Sequence, residues 1–158
     1  MASLAHVVRR FSRHVLAKPL TDVDIEFIRT LISPDEEPLF WRQRLGDQQH
    51  AVVTARRMLS THAHGRAVLR AALWHDIGKI DSDLGAVTRA FATVARLLRL
   101  PRPIRWRLYD DHGPIGARYL AAMGCESLVV DFARFHPDSG PSVYSKAIWE
   151  SLLRADDD

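Results

Sequence analysis

The sequence predicts an all-α fold, a compact single-domain helical bundle, and three observations lead there. Apolar residues recur at helical spacing along most of the chain, and no stretch alternates apolar and polar residues as a half-buried strand does. The breaks are short and carry Pro, Gly, Asp and Ser. At 158 residues, with 47% apolar and 26% charged side chains, the chain is long enough to bury a core and too apolar for wholesale disorder.

The elements follow in order. Residues 1–18 place Leu4, Val7, Val8, Phe11 and Val15 on one face and Arg9, Arg10, Arg13 and Lys18 mostly elsewhere, an amphipathic helix expected to pack on its own domain. Thr21 and Asp24 make a capping-box start for a second helix carrying Ile25, Ile28, Leu31 and Ile32, which Pro34 ends. A short helix is expected over 39–45, a break at Gly46, and Asp47 as N-cap of a helix over 48–60. The strongly apolar 66–76 forms the next helix, and Gly78 with Asp81, Ser82 and Asp83 makes a turn. Helices over 84–99, 104–111, 115–123, 128–135 and 143–155 complete the chain, separated by Pro101 and Pro103, Gly113 and Pro114, Gly124, and the loop 137–142. With no long linker and no repeat, residues 1–158 read as one domain, 1–38 packing as N-terminal helices on a core of 39–156.

Composition narrows the setting. The single cysteine, Cys125, has no partner for an internal disulfide and reads as a small buried hydrophobe. No export signal opens the chain, so a reducing cytoplasm fits. Arg or Asp interrupts every apolar run before it reaches the length of a membrane span. The net charge is +3 and almost all the positive charge is Arg, Lys occurring only at Lys18, Lys79 and Lys146. That composition is compatible with an anionic substrate. Arg99, Arg102, Arg105 and Arg107 lack interleaved recognition features, so they read as a solvated basic loop or an anion-attracting rim and not as a nucleic-acid site. Trp41, Trp74, Trp106 and Trp149 read as core aromatics. A dinucleotide-binding GxGxxG and a Walker phosphate loop are both absent.

The chemistry concentrates in ALWHDIGKI, residues 72–80. His75 and Asp76 end an otherwise apolar helix, where a buried imidazole and carboxylate cost several kcal/mol (about 2–7 per group) unless something pairs with them. A divalent cation satisfies both. Gly78 lets the backbone turn closely, and Lys79 adds a positive charge. His50 lies one helix upstream, while His112 and His136 fall at or near helix ends downstream. Asp156 continues the face of Ile148 and Leu152 at i, i+4, i+8, which turns a carboxylate inward toward a metal or cationic partner. His6, His14, His62 and His64 read as surface residues.

This order, H, HD, H, H, D, with HDIGK intact at 75–79 and LLRAD at 152–156, resembles the HD superfamily and in particular its HDIG branch of metal-dependent phosphohydrolases. The resemblance spans roughly residues 39–156 and implies an HD-type helical domain. It also implies a first ion held by His50, His75, Asp76 and Asp156, and a second that shares Asp76 and takes His112 and His136. Many two-metal relatives carry adjacent histidines where this chain has Phe135, His136 and Pro137, so the second site has one ligand fewer. Imidazole and carboxylate ligands suit Fe or Mn, with Zn, Ni or Co as alternatives. The reaction implied is hydrolysis of a phosphomonoester or phosphodiester of a small, nucleotide-like substrate by a metal-activated hydroxide. Asp76 serves as bridge, and Lys79 neutralises charge developing on the phosphate. The same order is also similar to the mixed-valent di-iron oxygenases of the superfamily, and a noncatalytic HD-fold sensor is a third reading; HDIGK sides with the hydrolases. Loop composition leaves the exact substrate and the oligomeric state open.

Overall fold

A computed structural model describes residues 17–61 and 65–157. All regular structure among these residues is helical, as the periodicity requires. In chain order the elements are α1 (Asp22–Leu31), α2 (Glu37–Phe40), α3 (Leu45–Thr61), α4 (Arg66–Trp74), a 3-10 turn (Ile77–Asp81), α5 (Ala86–Leu97), α6 (Ile104–Asp110), α7 (His112–Ala122), α8 (Ser127–Phe135) and α9 (Lys146–Asp157). The amphipathic segment expected over 1–18 lies outside the described residues apart from its last two positions. His6, His14, His62 and His64 lie outside them altogether.

The bundle is built around α4. All its residues from Val68 to Trp74 are buried, because α3, α8, α9 and α1 surround it, and a helix covered on every side must be apolar all round. One contiguous core runs from Ile28 on α1 to Ala155 on α9. Trp74 and Trp149 are core residues, packed edge-on against Phe40 and Phe132 at 5.7 and 5.2 Å between ring centroids. Trp41 and Trp106 are only half-buried.

A single charged group interrupts the α4 face. The Arg70 guanidinium reaches Glu36 Oε1 at 2.6 Å and Oε2 at 2.9 Å, the Leu31 carbonyl at 2.7 Å, and Glu126 Oε2 at 3.0 Å. It thereby joins the end of α1, the following loop and the start of α8. Cys125 belongs to this cluster: its Sγ lies 3.4 Å from both Glu36 Oε1 and Arg70 Nη2 and it is half-buried. It is therefore not the buried hydrophobe expected, and burial together with the Glu36 carboxylate pushes its thiol up to about 11.

The capping box of α1 forms: Asp24 N–H donates to Thr21 Oγ1 at 3.2 Å and Thr21 N–H to Asp24 Oδ2 at 3.2 Å. Other boundaries move. α3 begins at Leu45, because the N–H groups of Asp47 and Gln48 already bond to the Arg44 carbonyl. Gly46 is thus inside the helix, and Asp47 is not an N-cap. Its carboxylate instead takes a two-pronged, buried bond from Arg89 at 2.6 and 2.5 Å, a stronger partner than a backbone N–H. α7 starts at His112, ahead of the expected Ile115. Pro114 is accommodated in the first turn, where N–H groups have no intrahelical partner.

Candidate metal centre

The six side chains singled out in the sequence converge on one point. His50 projects from the second turn of α3, His75 caps α4, Asp76 follows it, His112 opens α7, His136 caps α8, and Asp156 lies in the last turn of α9. Asp76 is at the centre. Its Oδ1 lies 3.3 Å from His112 Nε2 and 3.4 Å from His136 Nε2, and its Oδ2 lies 3.4 Å from His75 Nε2 and 3.9 Å from His50 Nε2. Asp156 Oδ1 is 2.8 Å from His50 Nε2 and 3.1 Å from His75 Nε2. Within each of three trios, His50–His75–Asp76, His75–His136–Asp156 and Asp76–His112–His136, the donor atoms all lie within 4.8 Å of one another. His75, Asp76 and His136 each belong to two trios, so the described donors form one continuous cluster and do not fall into the two separate sets that the resemblance implies.

Three imidazoles are oriented by backbone carbonyls in the last turns of helices. His75 Nδ1–H donates to Ala72 O at 2.8 Å, His112 Nδ1–H to Tyr109 O at 2.7 Å, and His136 Nδ1–H to Phe132 O at 3.0 Å, with Ala133 O at 3.1 Å. Each bond fixes the ring and turns Nε2 inward, the orientation in which an imidazole can be presented to a cation. Whether a metal suits these residues is decided at His75 Nε2. It is fully buried and, although close to both carboxylates, is not aligned for a hydrogen bond with either, so it has no hydrogen-bond partner. A buried polar atom in that state is costly. A divalent cation among these donors would satisfy it, so the residues present fit a metal.

Charge is balanced tightly. Lys79 Nζ bonds to Asp76 Oδ2, and both side chains are almost wholly buried. Burial works against an ionised Asp76, but Lys79 and His75 hold its carboxyl well below the usual range. His75 and His50 do the same for Asp156. Burial lowers His50 and His112, keeping them neutral. For His75, burial is outweighed by the two carboxylates, which push it up to about 10. An incoming cation therefore has to displace that proton. His112 and His50, 20% and 12% exposed in their side chains, mark the side of the cluster that faces solvent.

Gly78 sets the spacing. A Cβ there would overlap the His112 carbonyl oxygen and lie 2.5 Å from Gly116 N, so only glycine lets the 3-10 turn bring Asp76 and Lys79 against the first turn of α7. Two groups escaped the sequence reading. Tyr109 stacks on His112 at 5.9 Å and 23°, with Lys79 Nζ and Arg89 Cζ 5.9 and 5.5 Å from its ring centroid. The Arg89–Asp47 pair braces the turn of α3 that precedes His50. Spacing identifies neither, because both act across elements distant in sequence. Of the four arginines at 99–107, Arg102 pairs with Asp110, and Arg105 binds Ser82 O and Asp83. Half of the expected rim is thus committed to the fold.

No family model, curated protein or solved structure matches the chain. Within the described residues no helix is long and apolar enough to cross a membrane. Buried imidazoles and carboxylates that could hold a metal ion are what the geometry itself supplies.

Proposed function

We propose that this chain is a metal-dependent phosphohydrolase of the HDIG type, acting in a reducing, cytoplasmic setting on the phosphomonoester or phosphodiester bond of a small, nucleotide-like substrate. The observation that carries the reading is the inward-facing, unsatisfied His75 Nε2 between two buried carboxylates. A fully buried ring nitrogen without a hydrogen-bond partner is costly, and a cation among these donors would satisfy it. His50, His75, Asp76 and Asp156 would hold a first ion, and Asp76, His112 and His136 a second; such donors suit Fe, Mn, Zn, Ni or Co, and Fe or Mn is our choice. When bound, the ions supply Lewis acidity to a phosphoryl oxygen and an activated water.

The protein groups do the rest. Ala72, Tyr109, Phe132 and Ala133 accept from the Nδ1–H groups of His75, His112 and His136 and so turn these three Nε2 atoms inward, His75 giving up its second proton as a cation enters. Burial behind α4, α8 and α9 excludes bulk water and raises the effect of each charge. Lys79, anchored on Asp76, contributes a fixed positive charge where phosphate negative charge develops. The HDIGK sequence, with its lysine at this position, favours hydrolysis over the oxygenase reading of the same ligand order.

The test is one sample purified without air: elemental analysis, then phosphate-ester turnover and oxygen uptake. Bound Fe or Mn with ester cleavage and no oxygen uptake is the expected result. Oxygen uptake without ester cleavage would assign the centre to the oxygenases, and a metal-free sample that does not bind added Fe or Mn would reduce the cluster to a structural network.

A further inference from the structure

The helix α5 is built inside-out. It buries Arg89, Ala92 and Ala95 and exposes Val87, Phe91, Val94 and Leu97, with Leu98, Leu100 and Ile104 continuing the patch; each of the seven is between 51% and 72% exposed. This orientation is held from within. Arg89 makes its buried, two-pronged bond to Asp47 on α3, and the two small alanines let α5 settle on the structure beneath it. Turning the helix over to hide its apolar face would strand Arg89 in solvent and Asp47 without its cation, which costs several kcal/mol (about 3–5). The apolar face is thus locked outward.

We propose that this face is a dimer seam, on which a second copy of the chain packs α5 against α5 in antiparallel fashion across a two-fold axis. Area is the first argument. At roughly 200 Å² for a fully exposed large apolar residue, the seven present on the order of 800 Å². That is the share each partner contributes to a standard-size interface, and it exceeds the largest apolar patch of most monomers. Spacing is the second. Val87, Phe91, Val94 and Leu98 are separated by four, three and four residues, the alternation that lets one helix seat its side chains between those of another, and the exposed Ala90 beside them leaves room for close approach. Charge selects the direction: Arg96 and Arg99 lie at the C-terminal end of α5, so a parallel pair would bring four guanidinium groups together, whereas an antiparallel pair puts them at opposite ends and also opposes the helix dipoles. A two-fold contact closes on itself, as most soluble oligomers do.

The seam goes beyond the proposed activity and stands or falls separately from it. The full chain is weighed by analytical ultracentrifugation through the micromolar range, alone and with Phe91→Glu. Phe91 is exposed in the single chain, so the variant should keep the wild-type helical circular dichroism and melting profile while weakening the dimer about a hundredfold, the effect of losing a central interface anchor. In a Cys125→Ser background, chains carrying Val87→Cys mixed with chains carrying Leu98→Cys should form a disulfide-linked pair, and Leu98→Cys alone should not. A wild-type chain that is monomeric throughout the range overturns the proposal. So does a dimer that Phe91→Glu leaves intact, a Leu98→Cys homodimer in place of the mixed one, or a monomer that co-sediments with phosphatidylserine vesicles through this face.

Discussion

At the scale of single residues, Asp76 and Lys79 separate the two demands on the centre. Asp76 is the only described side chain that faces all four imidazoles, since Asp156 approaches His50 and His75 alone. Asp76→Ala should therefore abolish metal uptake and turnover together, read by elemental analysis and an ester-cleavage assay on one preparation. Lys79 offers an ammonium, which is no ligand for a cation. Lys79→Ala should leave bound metal unchanged and lower kcat about a hundredfold, the usual cost of losing one preorganised electrostatic contact. Loss of metal in that variant would contradict the division of labour. His75, Asp76 and Lys79 were legible because polar residues closing an apolar helix need a reason, and Asp156 because its register turns it inward. Tyr109, Arg89 and Asp47 were not, because each acquires its role from a neighbour far away in sequence.

At the scale of elements, two helix ends make a controlled comparison. α7 and α5 both finish in the same pair of bonds, Cys125 N–H to Leu120 O with Gly124 N–H to Ala121 O, and Leu100 N–H to Ala95 O with Arg99 N–H to Arg96 O. The residue with positive φ is Gly124 at 70° in the first and Arg99 at 55° in the second. Glycine takes that conformation without strain, and arginine does not. Arg99→Gly should stabilise the fold by about 0.5–1 kcal/mol, seen as a raised Tm. The glycine end was readable from the sequence, whereas the other helix was expected to run through Arg99 up to the stop at Pro101 and ends at Leu97, because nothing in Arg99 itself signals a turn. Gly78 is the opposite case. A methyl group there has only backbone to push against, so Gly78→Ala should cost about 2 kcal/mol or more and draw His112 away from Asp76, measured as a lower Tm with loss of the second equivalent of metal before the first.

At the scale of the molecule, the Arg70 cluster ties the N-terminal helices to the core. Burial alone would raise Glu36, but the bonds from Arg70, with the Ser33 N–H and Cys125 adding to them, bring it from its ordinary 4.5 down to about 2. A carboxyl depressed by folding contributes stability that is complete above its unfolded pKa and drains away as pH falls through its folded one. The cluster should accordingly support the fold fully above pH 4.5 and lose its contribution, on the order of 3 kcal/mol, between there and pH 2. Glu36→Gln should lower the Tm at neutral pH and flatten its dependence across that window, as followed by thermal melts from pH 7 downward. A variant with an unchanged acid profile would show that the stability resides elsewhere.

From its order of residues alone the chain declares that it is helical, where most helices lie, and that His75, Asp76 and Asp156 need partners, because these rest on local periodicity and on the cost of burying polar groups; His50, His112 and His136 joined them through the order of the family resemblance. Only the folded arrangement decides that the six meet around Asp76, that helix-end carbonyls aim their nitrogens, that Asp47 serves Arg89 instead of capping a helix, and that α5 turns its apolar side outward. Those outcomes depend on which distant groups become neighbours. Contact between residues far apart in sequence is a property of packing, and no local pattern encodes it.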